Sequence, residues 1–381
     1  MLEETTFSNH QVFSELEEKF SNLESYLKEK EESEDLGAAI QVRVHQLAIC
    51  KVLTEIHNRP PSLLVQAHSN LAQSYLKLKY LDQALDHLSQ ALKYNSVHYN
   101  EGEVYKQTHI ELLCLLGKVH LLKGNTNEAK ELLTKAEIVN QSTNLRDDIS
   151  FARIYWNIGK VHKFNKNYSE SIKFYEKAWS IFKLHEENSP DLADLYLDLS
   201  NAYSKQGNSQ ETVDFLRRAI NVLLNTQSYQ VKAASLCLSL AKHLHKLDNF
   251  HEALEALRQA EHLQSESLGV YNKSTASTKR RICGVLLSAQ EYQEALKECK
   301  SLEDIEAKIF GTKSLEFAKH LKVTGTILLI LENFREAYSY LSKALPLYTK
   351  LGGSISVARD LKLKLRSIKK NIHSDSSNSQ I

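Results

Sequence analysis

The sequence has little of what interrupts helices: it contains 4 prolines and 12 glycines in 381 residues. Those two residue types mark many turns and helix ends. Leu, Ala, Glu, Lys, Gln and Ser dominate instead, a composition that favours long helices over strands. The sequence also lacks runs of alternating apolar and polar residues bounded by turn residues, which would indicate strands. We therefore predict an all-α protein.

An excess of charge of one sign is also missing, since 48 Lys and Arg residues face 47 Asp and Glu residues. That balance argues against a general nucleic-acid binder, whose basic surplus would attract phosphates. No stretch of about 18 consecutive apolar residues is present, so we expect no membrane insertion. The first residues, Met1-Leu2-Glu3-Glu4, lack the basic and apolar regions of a secretory signal. We therefore expect a cytoplasmic protein.

The cysteines and histidines do not form a pattern that predicts a metal or cofactor site. The odd number of cysteines, all within helical patterns, indicates reduced thiols: Cys50, Cys114, Cys237, Cys283 and Cys299. The tightest histidine pair is His243 and His245. Residues two apart on a helix point to different faces, so these imidazoles cannot easily share a metal ion. We expect no metal and no cofactor.

The sequence instead repeats one pattern seven times. Each copy has a pair of small or apolar residues in a first helix, then an aromatic or large residue, then a second helix with Ala-x3-Leu-x2-Ala or a close variant. The pairs are Leu71-Ala72, Leu116-Gly117, Ile158-Gly159, Leu199-Ser200, Leu240-Ala241, Ile282-Cys283 and Thr324-Gly325. These offsets match the tetratricopeptide repeat, in which small residues mark the places where two helices touch. Gly117 and Gly159, each followed by a lysine, are accordingly packing glycines and not parts of a phosphate-binding loop.

Successive copies begin 45, 42, 41, 41, 42 and 42 residues apart, compared with 34 in the commonest tetratricopeptide repeat. The extra residues correspond to roughly one more turn on each helix. A single hairpin cannot bury its apolar face alone, so consecutive hairpins must stack. The predicted fold is a right-handed α-solenoid of about seven tetratricopeptide-type hairpins with a period of about 42 residues.

The two ends differ from the repeats. Residues 1–36 contain 11 acidic residues and 3 lysines, with apolar residues spaced three and four apart at Phe13, Leu16, Phe20, Leu23 and Leu27. This segment is either a helix that caps the first repeats or a short dimerising coiled coil. The predicted segments are an acidic helix at 1–36, a degenerate helix or linker at 37–64, the repeats at 65–350, a basic capping helix at 351–373 and a disordered tail at 374–381.

The repeats resemble known families. The stretch from Ile305 to Gly311, followed by Ser314 to Ala318, is similar to the link between repeats of kinesin light chains. A closer resemblance is to the tetratricopeptide repeat protein 23 family, including its 23-like branch, from about residue 39 to about residue 365. Three stretches carry it, namely Gln66 to Leu76, Ile110-Glu111-Leu112 leading to Leu132 to Glu137, and the last repeat with Phe310-Gly311 before it.

The family resemblance implies a non-enzymatic component of the primary cilium, near its base, that supports Hedgehog signalling through partner complexes. An adaptor for motor cargo, as in kinesin light chains, is the nearest alternative. A regulatory phosphatase of the bacterial helical-repeat type is a third, with Gln41 or Gln46 as the catalytic glutamine. The short segment before the first clear repeat argues against the phosphatase. We therefore expect a scaffold that acts by binding proteins, with its oligomeric state left open.

The first helix of each hairpin lines the concave face of such a solenoid. The positions predicted to point inward are mostly basic: Lys118, Arg153, Trp156, Lys160, Lys163, Lys205, Lys242, Lys246 and Arg280. One interpretation is that the lysines only solvate a helix face. The other is that they attract an acidic peptide or helix into the groove, anchored near Trp156 and Phe164.

Overall fold

Helices account for the regular structure in the computed structural model, which describes residues 2–32, 35–57, 60–142, 149–185, 189–225 and 229–378. Every regular element within these ranges is helical, so the all-α prediction is confirmed. The chain divides into two compact units, Met1–Glu187 and Asn188–Ile381. Each unit is built from helical hairpins.

The first unit contains, among its described residues, eight α-helices and one short 3-10 turn before α5. The helices are α1 (Leu2–Glu32), α2 (Leu36–His57), α3 (Ser62–Lys77), α4 (Leu81–Val97), α5 (Glu103–Leu122), α6 (Thr126–Gln141), α7 (Ile149–Phe164) and α8 (Tyr168–His185).

The second unit contains nine described α-helices. They are α9 (Pro190–Gln206), α10 (Ser209–Leu224), α11 (Gln230–Lys246), α12 (Phe250–Leu268), α13 (Lys273–Ser288), α14 (Tyr292–Phe310), α15 (Leu315–Ile330), α16 (Phe334–Lys350) and α17 (Ile355–Asn378). The predicted hairpins correspond to α3/α4, α5/α6 and α7/α8 in the first unit, and to α9/α10, α11/α12, α13/α14 and α15/α16 in the second.

The small residues of the repeat lie where the two helices of a hairpin meet. The alanines predicted at these contacts are fully buried, namely Ala84, Ala129, Ala253 and Ala337. A Cβ atom added to Gly117 would lie 3.0 Å from the Cγ atom of Leu133 on the paired helix. The prediction that Gly117 is a packing glycine is therefore confirmed, and the reason is the close approach of the two helices.

Every predicted hairpin has a residue in the left-handed conformation just after its first helix. Gly124 and Gly207 occupy this position in two hairpins. The other five have larger residues with φ between 55° and 63°, namely Lys79, Lys166, Asp248, Gln290 and Glu332. The following amide donates to a carbonyl five residues earlier, for example from Tyr80 to Tyr75 at 2.9 Å. This bond satisfies one of the carbonyls at the end of the helix.

At the start of the chain, α1 and α2 form a further hairpin that packs on α3 through α2. Phe20 of α1 lies against a buried cluster that includes Leu47, Cys50 and Leu64, as expected for a capping helix, whereas the side chain of Phe13 lies outside the described part. Among the described residues, α2 alone has a segment (Leu36–Ile56) long and apolar enough to cross a membrane. One face of α2 is buried in the first unit, with Ala39, Val42, Leu47, Cys50 and Leu53 in its core.

At the end of the chain, α17 packs on α16. Leu361 and Ile368 are fully buried in this contact, as expected for a C-terminal cap. The helix extends to Asn378, so residues 374–378 are helical where a disordered tail was expected, and 379–381 lie outside the described residues. Pro346 is inside α16, in its second half, as the sequence indicated.

Candidate functional site

The first part of the predicted groove lies on two neighbouring helices of the first unit. On α7 the residues at inward positions are three and four apart, and therefore share one helical face: Arg153, Trp156, Lys160 and Lys163. Helix α5, which packs beside α7, carries the exposed Lys118. The structure thus places these five predicted residues on adjacent first helices.

Trp156 differs from the expected peptide anchor. Its side chain is only 9% exposed, and its ring meets the Phe182 ring of α8 edge-on, with centroids 6.1 Å apart. The ammonium of Lys160 lies 3.5 Å from the centroid of the Trp156 ring. Trp156 therefore acts mainly in packing α7 on α8, and the more exposed aromatic side chain nearby is Phe164, at 54%.

Arg280 of α13 also differs from the expected groove cation, because it is engaged in an ion pair inside its own hairpin. Its Nε donates to a carboxylate oxygen of Glu306 on α14, and its guanidinium lies 5.0 Å from the centroid of the Phe310 ring. Glu306 is fully buried, and the His320 imidazole lies 3.7 Å from its second oxygen. A buried carboxylate requires a cation, so we assign Arg280 a structural role.

The remaining predicted cations are on the surface of the second unit. Lys205 lies in the last turn of α9, and Lys242 and Lys246 lie on α11. All three are exposed. Within the described part of the chain none of them forms an ion pair, so their charges are not neutralised by a carboxylate.

Lys242 borders a cavity of about 450 Å³ between α11, α12 and α13, which we call the α11–α13 hollow. Its floor is apolar and its rim is basic. The lining residues are Leu238, Ala241, Lys242 and His245 of α11, Leu257 of α12, and Arg281, Gly284 and Val285 of α13. An open cavity with an apolar floor and a few polar groups is typical of a binding site.

Gly284 leaves space in the α11–α13 hollow that no packing requirement explains. At Gly159 and Gly325, an added Cβ would lie 2.5 Å from the Tyr175 ring and 2.7 Å from Leu341, respectively. At Gly284 an added Cβ would have no atom within 4 Å. Glycine in a helix interior costs about 0.5–1 kcal/mol relative to alanine. Gly284 therefore lowers helix stability and keeps the hollow open.

The rim of the hollow is positive. Lys242 and Arg281 are both exposed, and neither pairs with a carboxylate among the described residues. Burial lowers the pKa of His243 on α11, and the charges of Lys246 and Lys242 lower it further. The local excess of positive charge thus penalises a protonated imidazole and would favour an anionic ligand.

Arg281 and Gly284 were not predicted from the sequence. The repeat pattern points instead to Arg280, one residue earlier, because that position faces inward in the repeat. Glu306, which holds Arg280 in the structure, is 26 residues away in sequence, and its burial was not predictable from spacing. One signal was present: Gly284 follows Cys283, which already fills the small position of that repeat, so a second small residue had no packing role.

The side chains that could take part in catalysis lie in positions that do not favour it. Burial raises the pKa of Cys50 to about 11 and those of Cys114 and Cys237 to about 12, so these thiols stay protonated and are weak nucleophiles. Of the two glutamines of the phosphatase alternative, Gln41 is exposed and Gln46 is 8% exposed. Within the described ranges, no three His, Cys, Asp or Glu side chains converge as metal ligands.

Comparison with family models agrees with the repeat pattern. A model described as tetratricopeptide repeat matches residues 150–225, and a second model with that description matches residues 65–98 and 110–137. These parts of the chain are tetratricopeptide repeats.

The chain is similar to Tetratricopeptide repeat protein 23 of Homo sapiens, with 31% identity over 153 residues. The alignment covers 35% of this chain and 34% of the human protein, less than the residues 39–365 of the expected resemblance. The chain thus matches about a third of the length of its curated relatives.

Among solved structures, the apo form of RapI has a TM-score of 0.55 at 16% identity, covering 75% of this chain and 77% of RapI. Repeats of a kinesin light chain from Podosopora anserina give a TM-score of 0.44 at 20% identity, covering 53% of this chain and 96% of theirs. The similarity to RapI supports the fold described above.

Proposed function

We propose that this chain is a scaffold that binds an acidic segment of a partner protein at the α11–α13 hollow. Tetratricopeptide-type repeats form a scaffold suited to protein–protein interaction. The observation that carries the proposal is the combination of an apolar floor with two exposed cations, Lys242 and Arg281, that have no carboxylate partner in the described part of the chain.

The ligand follows from the chemistry of the hollow. An aliphatic side chain fits the floor formed by Leu238, Leu257 and Val285, where its burial is favourable. Carboxylates on either side of it pair with Lys242 and Arg281, and Lys246 adds to the attraction. Such a ligand is an acidic peptide or helix with one apolar side chain.

The exposed Lys118 and the cations of α7 extend the proposal to the first unit. Arg153, Lys160 and Lys163 share a face there, and α5 runs beside it. The similarity to Tetratricopeptide repeat protein 23 supports a role in the primary cilium, near its base, in complexes that support Hedgehog signalling. Proximity labelling in ciliated cells, with a repeat-free control protein, tests that location.

The binding test uses a fluorescein-labelled peptide, Glu-Glu-Leu-Glu-Glu, and the full chain, followed by fluorescence anisotropy. Lys242→Glu combined with Arg281→Glu should weaken binding by about 10- to 100-fold, which corresponds to roughly 1.4–2.8 kcal/mol. The matched control, Lys313→Glu with Lys343→Glu, changes net charge equally at two exposed residues of the same unit and should bind as the parent does.

Two control peptides separate the contributions of charge and apolar contact. Replacing every Glu of the peptide by Gln, or its Leu by Gly, should each reduce affinity. Equal binding of all three peptides, or equal loss in both double variants, would show that the hollow is not the site.

A further inference from the structure

Helix α17 has a basic face opposite to the one that it buries. Between Ile355 and Ile372 it contains six Lys and Arg residues and one acidic residue, Asp360. The apolar residues of its inner face pack on α16, with Leu361 and Ile368 completely buried. The capping role predicted from sequence accounts for that inner face and leaves the basic face unexplained.

Four of the six cations are aligned. Arg359, Lys362, Arg366 and Lys370 are spaced three and four residues apart and therefore share one face. All four are exposed, and none forms an ion pair with another described residue. We call these four residues the α17 cationic stripe. At 1.5 Å per residue, the stripe is about 16 Å long.

The other two cations of the helix are engaged within the unit. Lys364 pairs with Asp360, with the ammonium 2.9 Å from a carboxylate oxygen. The ammonium of Lys369 lies 5.6 Å from the centroid of the Tyr338 ring on α16. Among the cations of α17 between Ile355 and Ile372, the four of the α17 cationic stripe are thus the exposed ones that neither pair with a described carboxylate nor lie over a described ring.

Two large aliphatic residues lie on the same face as the stripe. Ile355 and Leu363 are each four residues from Arg359, and their side chains are 80% and 57% exposed. A nucleic acid would use only the cations of this face, because its phosphates interact with charge and not with aliphatic side chains. The face therefore favours a ligand that offers both anionic groups and an apolar region.

We propose that the α17 cationic stripe docks the chain on an anionic lipid surface. A helix face is convex, so it meets a flat surface well but cannot enclose the side chains of a peptide. Anionic headgroups pair with the four cations, while the tips of Ile355 and Leu363 enter the headgroup region. The contact is peripheral, because the inner face of α17 stays packed on α16. The inference is independent of the α11–α13 hollow.

The test is co-sedimentation of the full chain with vesicles of phosphatidylcholine, or of phosphatidylcholine and phosphatidylserine in equal parts. Binding should require phosphatidylserine and should weaken as salt rises. Each cation near an anionic surface contributes about fivefold to the affinity, so replacing the whole stripe by glutamine should lower it by roughly 100-fold or more. Leu363→Ser should cause a smaller loss that persists at high salt.

A matched control separates the stripe from net charge. It replaces four exposed lysines of the predicted groove by glutamine, namely Lys118, Lys205, Lys242 and Lys246. This variant loses the same charge and should keep vesicle binding, whereas the stripe variant should keep peptide binding at the hollow. Thermal unfolding of both variants checks that the fold is retained, and all substituted residues are exposed.

Three results would overturn the proposal. Equal losses in the two quadruple variants would show that net charge alone attracts the vesicles. Equal binding to both kinds of vesicle would exclude recognition of anionic lipid. Binding of polyglutamate through the stripe, without binding to either vesicle, would assign this face to an acidic protein.

Discussion

Gly159 and Gly284 should respond in opposite directions to the same substitution. Both lie inside first helices of hairpins, so alanine adds one methyl group to each and improves helix propensity by about 1 kcal/mol. At Gly284 the added Cβ has no atom within 4 Å. We therefore expect Gly284→Ala to raise the free energy of unfolding by about 0.5–1 kcal/mol.

At Gly159 the methyl group has no room. It would lie 2.5 Å from two carbons of the Tyr175 ring and 3.2 Å from the Ser171 carbonyl oxygen. Tyr175 is fully buried, so its ring cannot swing into solvent. Overpacking of this kind costs about 1–3 kcal/mol, which exceeds the gain in propensity. Gly159→Ala should therefore lower the free energy of unfolding by up to about 2 kcal/mol.

Urea and thermal unfolding followed by far-ultraviolet circular dichroism measure both changes. For units of this size a change of 1 kcal/mol moves the midpoint temperature by about 2–4 °C. Gly159 lies in the first unit and Gly284 in the second. For each variant, the unfolding transition of the unit that contains the substitution is compared with the same transition of the parent chain. A loss of stability in Gly284→Ala, or a gain in Gly159→Ala, would refute the packing argument. Gly284→Leu should then fill the hollow and abolish peptide binding without unfolding the chain.

Three other perturbations test other parts of the structure. Burial, and after it the charges of His87 and Lys51, lowers the pKa of His68 from 6.5 to about 4. As the pH falls from 6.5 towards 4, His68 is therefore protonated in the unfolded chain but not in the folded one, and the urea concentration at the unfolding midpoint should fall. The fall should be less steep in His68→Gln. Arg280→Met leaves the buried Glu306 without its cation and should destabilise the second unit by about 3 kcal/mol. Adding Glu306→Gln should restore much of this lost stability. If it restores none, loss of the ion pair is not the cause of the destabilisation. Removal of residues 1–34 should lower the melting temperature and promote aggregation, measured by light scattering, because α2 loses its cover; an unchanged melting temperature would show that α1 is not a cap.

The sequence predicted the hairpins well because one steric requirement recurs in each of them. Residues at the contact of two helices must be small, so the positions of Ala84, Ala129 and Ala253 repeat in phase and are visible without a structure. The extent of α17 was missed because Ser374 and its polar neighbours have the composition of a disordered tail, although nothing in them forbids another helical turn.

The candidate site was less predictable, because periodicity gives the direction of a side chain but not its partners. Trp156 and Arg280 were both chosen as inward-pointing residues. Trp156 is covered by Phe182 of α8, and Arg280 pairs with Glu306 of α14. Each partner lies on the second helix of the same hairpin, too far along the chain for helical periodicity to predict the contact. Lys242 is exposed, and the hollow beside it depends on Gly284. That role is visible only in the structure, where no atom lies within 4 Å of a Cβ added at Gly284.

The left-handed residue after the first helix of each hairpin makes stability adjustable one hairpin at a time. Five hairpins have a larger residue there, namely Lys79, Lys166, Asp248, Gln290 and Glu332. That conformation costs such residues about 1–2 kcal/mol, while glycine loses about 0.5–1 kcal/mol more in chain entropy on folding. Glycine at one of these positions should thus raise the free energy of unfolding by up to about 1.5 kcal/mol, and gains at separate turns should add. A graded series of such variants, altered only at the turns, would show whether a partner engages the repeats as a rigid frame or requires one hairpin to loosen first.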